Sequence, residues 1–391
     1  MNEKKREQEN VLRLVKKSRK GILRVVFSRF GLMALLLVLE LVLLWMMWRW
    51  FNNDFEWFAA VQGVFTVLMF FHLFNSDMDA TGKLTWMFLL AVIPIPASIF
   101  LWFTEKDVGH RTLKRMVQQR IDESRDLLHQ DPEVLRDPEI ESSGTDDLCR
   151  YLNRSGSFPL YANTETKFFP QGEDKFAALL EELQKAEKFI FLEYFIIDEG
   201  YMWGSILKIL ADKAAQGVDV RVLYDGMLEI STLPWDYPRR LEKLGIRCKA
   251  FAPIQPFLST HYNYRDHRKI LVIDGKVAFG HWKDTAILLR GEAVQSFTLM
   301  FLQMWNLTEK EPRWDEALLP SPPVEAEGYV MPYCDCPLDD YKVGESVYMD
   351  ILNRAKDYVH IMTPYLILDN EMETALKFAA QRGVDVKLIL P

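Results

Sequence analysis

The pattern of hydrophobic and polar positions changes near residue 105. Before it, apolar residues come in long runs, Phe30 to Trp48, Trp57 to Phe74 and Leu84 to Thr104. Each is close to the roughly 20 residues that a helix needs to cross the hydrocarbon core of a bilayer. After residue 150 the apolar runs are short, and amphipathic stretches separate them. Phe189 to Ile197 reads as a buried strand, Trp203 to Ala215 as a helix, and Gly217-Val218-Asp219-Val220 onward to Leu223 as a second strand. The order returns in Val359 to Leu368, Glu371 to Gln381, and Gly383-Val384-Asp385-Val386 onward to Ile389. Gly217 and Gly383 stand 166 positions apart. Strand, helix, strand, twice, predicts an α/β fold of two duplicated halves with mostly parallel central strands, the second half incomplete. The expected organisation is a head at 1–29, a membrane segment of two to three apolar helices at 30–104, a linker at 105–150, a first half at 151–320 and the start of a second at 321–391.

Charge sharpens the membrane reading. The chain of 391 residues has a net charge of -8, yet residues 1–29 hold ten Lys and Arg against Glu3, Glu7 and Glu9. A basic head followed at once by an apolar run points to anionic lipid. Lys106, Arg111, Lys114, Arg115 and Arg120 follow the last run, whereas Asp54, Glu56, Asp77 and Asp79 sit in the intervening loops. By the positive-inside rule both ends face the cytoplasm, which requires an even number of crossings. The expectation is therefore a transmembrane helical hairpin in the bacterial cell membrane, multi-pass, with one of the three runs not crossing and the globular part cytoplasmic. Pro94 and Pro96 make Leu84 to Thr104 irregular, and Gln62 and His72 weaken Trp57 to Phe74. The acidic remainder of the chain argues against a nucleic-acid substrate.

The candidate chemistry lies in Asn263-Tyr264-Arg265-Asp266-His267-Arg268-Lys269-Ile270-Leu271-Val272-Ile273-Asp274-Gly275. The apolar run ending at Asp274-Gly275 predicts a short buried strand closed by a tight hairpin turn. Residues two apart on a strand share a face, so His267 and Lys269 project together and Arg268 points away. An imidazole beside an ammonium suits phosphate chemistry, one group attacking phosphorus or moving a proton and the other holding anionic oxygens. The four cysteines, Cys149, Cys248, Cys334 and Cys336, include no C-x-x-C pair and no matching His cluster. No zinc site or disulfide framework is expected, and a reducing compartment fits. Glu193 falls on a buried strand leading to the site, more readily a satisfied structural carboxylate than an acid or base.

The basic head, the apolar hairpin, Phe191-Leu192-Glu193-Tyr194-Phe195, the His-x-Lys-x-x-x-x-Asp stretch and the repeated Gly-Val-Asp-Val together resemble bacterial cardiolipin synthases of the phospholipase D superfamily. The resemblance covers the chain in order. It implies two His-x-Lys motifs, one per half, meeting at a single site that needs neither metal nor other cofactor. It implies a two-step transfer in which one phosphatidylglycerol donates its phosphatidyl group to another through a phosphohistidine, giving cardiolipin and glycerol. Carried over by position, the catalytic set is His267, Lys269 and Asp274. Asp274, five residues from Lys269 and opening the turn, reads as motif member and structural anchor. Asp266 stands where the family often has Asn. The implied partners are phosphatidylglycerol and anionic membrane lipids, with a homo-oligomer admitted and no nucleic acid. Two departures stand out. An equivalent of His267 in the second half is expected at roughly residue 433, past Pro391. The family's Gly-Gly-x-Asn segment is missing, because Phe279 runs straight into Gly280-His281-Trp282-Lys283-Asp284-Thr285. That internal deletion is expected to shorten a strand, remove phosphate ligands and strain the turn. A phospholipase-type hydrolase and a non-catalytic membrane-anchored member of the fold remain the alternatives, and activity of this chain by itself is left open.

Overall fold

The computed structural model describes residues 55–391 together with 42, 45 and 46, leaving out 77, 79, 106–107, 199, 229–231, 254–264, 283–284, 323, 337, 339–340, 364 and 391. The basic head and nearly all of the first apolar run lie outside the described residues, as do Asn263, Tyr264, Lys283 and Asp284. The chain divides into two compact units, a helical one ending at Thr112 and an α/β one beginning at Leu113.

In the helical unit, α1 (Phe55–Phe74), α2 (Ala80–Val92) and α3 (Pro94–Glu105) pack around Leu73, Leu90, Ala97 and Leu101. The third apolar run is thus two helices broken at Ile93. Pro94 lacks an N–H and opens α3, in the first turn where that loss is harmless. Ser98 Oγ donates to the Pro94 carbonyl at 2.6 Å. Trp57, Val64, Leu68, Phe71, Leu84, Phe88 and Trp102 are exposed. Among the described residues no helix is long and apolar enough to cross a membrane, and the first expected span falls almost wholly on residues that are not described.

The α/β unit begins with α4 (Val108–Ser124), which crosses the boundary, and continues through α5 (Asp146–Gly156). Two short helices in the linker, at Pro132–Leu135 and Pro138–Ser143, each start on an Asp-Pro pair whose aspartate accepts an amide of the first turn. A seven-stranded sheet follows, formed by β1 (Thr164–Phe169), β2 (Phe189–Tyr194), β3 (Asp219–Asp225), β4 (Arg247–Phe251), β5 (Lys269–Ile273), β6 (Val277–Trp282) and β7 (Thr285–Gly291). Its spatial order is β1-β7-β6-β5-β2-β3-β4. Only β2-β3 and β3-β4 pair in parallel; the other neighbours are antiparallel. The expectation of mostly parallel strands is corrected here. β5, β6 and β7 are joined by connections too short for a crossover, and such strands can only run antiparallel.

Both faces of the sheet are covered. On one, Ile190, Leu192, Leu271 and Ile273 pack with residues of α6 (Gly172–Lys185), α7 (Tyr201–Ala215) and α8 (Tyr237–Glu242). On the other, Phe189, Phe191, Ile270 and Val272 meet α9 (Val294–Trp305) and Val117 of α4. The rings of Phe189, Phe191, Phe301 and Trp305 form a stack with centroids 4.4 to 5.7 Å apart. Alternation along β2 and β5 therefore feeds two cores rather than one, which explains their unbroken apolar runs. The repeat is real in topology. α10 (Val343–Arg354), β8 (Tyr358–Met362), α11 (Asn370–Gln381) and β9 (Asp385–Ile389) form a separate parallel pair with its own core of Leu352, Val359, Leu376, Ala379 and Val384.

Candidate active site

β2 and β3 run in parallel and end at Tyr194 and Asp225, while antiparallel β5 begins beside them, with Lys269 paired to Tyr194. His267 and Lys269 thus stand at the carboxyl ends of the parallel strands, the edge of an open α/β sheet where ligands commonly bind. Lys269 Nζ lies 3.0 Å from His267 Nδ1 and also donates to the His267 carbonyl. Phe195, just past β2, backs both groups. Its ring centroid is 4.5 Å from the imidazole's, and Lys269 Nζ sits 5.3 Å above it. His267 remains exposed. The partial burial of its ring, and then the Lys269 charge, hold the imidazole below its usual pKa. Burial likewise brings Lys269 down to about 8. At neutral pH the pair is a neutral imidazole beside an ammonium.

The loop ahead of β5 is clamped from β3. Buried Asp225 accepts the Asp266 N–H at 2.8 Å through one oxygen; the other takes the Met227 N–H at 2.8 Å and Arg265 Nη1 at 3.2 Å. Its charge also opposes the fall in the His267 pKa. Sequence reading missed Asp225, as it missed the ring contact of Phe195. The available signal was an aspartate closing an apolar run before a glycine, at the strand end where such sheets bind ligands.

Arg268 does point away, to the opposite face of the sheet. Its Nη1 donates to the Met300 carbonyl of α9 at 3.0 Å and pairs with Glu193 at 3.6 Å. Glu193 is fully buried; burial, and then the Asp266 charge, push its carboxyl well above the usual range. Asp266, also raised by burial, accepts the Arg268 N–H at 3.2 Å. Burial thus favours the neutral form of Glu193 while Arg268 opposes it, and the expectation of a satisfied carboxylate is corrected, since neither Glu193 oxygen has a hydrogen-bond partner among the described residues.

Asp274 is remote from the pair. Five residues of strand at about 3.3 Å each put it ~16 Å from Lys269. Its carboxylate accepts the amides of Glu187, Lys188 and Phe189 at 2.7 to 2.8 Å, fastening the β5 turn to the start of β2. Asp274 and Gly275 have φ of 53° and 68°, the left-handed values that a tight hairpin turn demands. At the other end of the hairpin, β6 pairs with β7 through Trp282↔Thr285, leaving two residues between the strands. All six residues of β6 join the ladder with β7. His281 is on this strand, opposite Ala286, and His261 lies outside the described residues. Among the described residues no cluster of three His, Cys, Asp or Glu could hold a metal ion.

Residues 348–391 match a family described as cardiolipin synthase, PLD-like domain. A cardiolipin synthase of Alkalihalophilus pseudofirmus is 32% identical, the match covering 85% of this chain and 71% of that one. Another from Geobacillus kaustophilus is 32% identical over 87% of this chain and 73% of its own. A protein of Streptococcus mutans without an assigned function is 53% identical over 82% of this chain and 73% of its own. In that match the 338 aligned positions outnumber the 82% of 391 residues that they take in, so the relative carries residues with no counterpart here. Among solved structures, phosphatidylserine synthase of Haemophilus influenzae aligns with a TM-score of 0.46 at 14% identity, covering 63% of this chain and 65% of that one. With curated relatives above 30% identity covered over more than two thirds of their length, the chain belongs to the bacterial cardiolipin synthases of the phospholipase D superfamily.

Proposed function

We propose that this chain transfers a phosphatidyl group between two phosphatidylglycerol molecules at a membrane surface, releasing cardiolipin and glycerol, with His267 as nucleophile. The observation that carries the reading is the neutral imidazole of His267 held 3.0 Å from the Lys269 ammonium at the carboxyl edge of the sheet. A ring nitrogen of His267 attacks phosphorus as the bond to the glycerol oxygen breaks, and the glycerol leaves with a proton. The hydroxyl of a second phosphatidylglycerol then displaces the histidine. Lys269 holds the non-bridging oxygens as charge builds on them. Asp225 keeps the His267 loop in place, and Asp274 anchors the far end of the strand without touching substrate. A second His-x-Lys pair, as the superfamily resemblance implies, acts as the general acid and base for the leaving and entering alcohols. With the family's Gly-Gly-x-Asn segment missing after Phe279, as the resemblance implies, Lys269 is the phosphate-holding group on this side.

Labelled phosphatidylglycerol in mixed vesicles distinguishes the readings. The transferase yields labelled cardiolipin and free glycerol. Phosphatidic acid and glycerol in place of cardiolipin identify a hydrolase, and no turnover at all overturns both enzymatic readings for this chain.

A further inference from the structure

Four successive antiparallel pairings separate β1 from β2, so the two strands run in the same direction. β1 ends at Phe169, and α6 starts three residues later at Gly172. The first turn of α6 therefore stands at the edge of the sheet that carries His267 and Lys269. Lys175, in that turn, is buried, with 1% of its surface exposed. Its Nζ donates to the Tyr194 hydroxyl oxygen at 3.4 Å and lies 5.6 Å from the centre of the ring. Among the described residues no carboxylate pairs with this ammonium. A buried cation without a counter-ion is costly, and an anion arriving at the same edge offsets that cost.

Tyr194 is paired directly with Lys269 across β2 and β5. Opposed residues of an antiparallel pair share a face, with Cβ atoms about 5 Å apart. Tyr194 packs against the core that holds Leu192 and Leu271, and Leu271 is two residues from Lys269 on the same strand face. The Tyr194 oxygen accepts from Lys175, and among the described residues its own O–H donates to no acceptor. A phenol that accepts from an ammonium keeps its proton for another partner, and the polarisation makes it the stronger donor.

We propose that Tyr194 is a further phosphate-binding residue, its hydroxyl donating to a non-bridging oxygen of the phosphodiester beside Lys269, and that Lys175 is the positioning residue that holds the phenol by its oxygen. The proposal rests on the reading of this edge as a phosphodiester site. It adds an uncharged donor to the Lys269 ammonium and brings an anion close to the buried Lys175.

Inorganic phosphate is titrated into the full-length protein in detergent and followed by phosphorus NMR line broadening, and the same preparations are assayed in vesicles for cardiolipin made from phosphatidylglycerol. Tyr194→Phe, which keeps the ring, is expected to weaken phosphate binding and to lower kcat/KM, each about tenfold, with unchanged unfolding in urea. Lys175→Met gives a similar loss alone and none beyond that of Tyr194→Phe in the double variant, because it acts through the phenol. If Tyr194→Phe weakens phosphate binding while no cardiolipin forms in any preparation, the transfer reading fails and the assignment of Tyr194 holds. Wild-type phosphate affinity and kcat/KM in Tyr194→Phe, or a wild-type protein that binds no phosphate, would overturn the proposal, and cardiolipin formed in either case leaves the transfer reading in place. Additive losses in the double variant would overturn the role of Lys175.

Discussion

Burial lowers the pKa of both Lys269 and His267; the Lys269 charge adds to the fall at His267, where Asp225 opposes it, and Asp266 opposes the fall at Lys269. The Lys269 ammonium, brought down to about 8, sits near the pH at which it stops being a cation. For a reaction that needs its charge on phosphate oxygens, kcat/KM falls as pH rises through about 8, well before an ordinary lysine would lose its proton. On the acid side, the lowered His267 pKa keeps the neutral imidazole available below the usual histidine range, so the acid limb lies lower than normal. The Lys269→Arg variant keeps a charge that does not titrate, and its alkaline limb moves up even if the rate drops. A pH profile measured on both proteins checks this; identical alkaline limbs would mean that another group titrates there. His267 and Lys269 were legible from sequence because a strand's period of two brings them together. Asp225 was not, because it acts through a backbone amide forty-one positions away, and no local pattern encodes that contact.

At the scale of elements, the β5–β6 hairpin is the most strongly determined piece of the site. The Asp-Gly pair supplies both left-handed dihedrals, and the Asp274 carboxylate takes three amides at the entry to β2. The Asp274→Ala variant strands those amides and strains the turn. It is expected to lose about 2–3 kcal/mol in urea unfolding, most of it from the buried Phe189 amide at 1–3 kcal/mol for a donor left unpaired, since water reaches the amides of Glu187 and Lys188. Asp274→Asn, which tolerates the dihedral and keeps one acceptor, loses less. Activity per folded molecule stays the same in both, whereas a dead variant of normal stability would make Asp274 a catalytic residue. This hairpin was readable because turn chemistry is local. The direction of the neighbouring strands was not. β2 and β5 are apolar on both faces, as parallel strands often are, but here that reflects two helical layers over an antiparallel centre. The break between α2 and α3 was readable, since Pro94 dictates it.

For the molecule as a whole, the duplicated pattern of strand, helix and strand was visible in two Gly-Val-Asp-Val segments, and both copies fold as parallel pairs. The departure after Phe279 rests on the resemblance alone, and β6 and β7 form an unbroken ladder there. The account rests centrally on His267 as the group that takes the phosphatidyl moiety. The most direct test is to mix the protein in vesicles with phosphatidylglycerol carrying radiolabelled phosphate, quench with base, and digest. A label on the peptide containing His267, stable to base, released by acid and absent from His267→Ala, is the predicted result. Cardiolipin formed at the normal rate by His267→Ala, or a label on another residue, would contradict it.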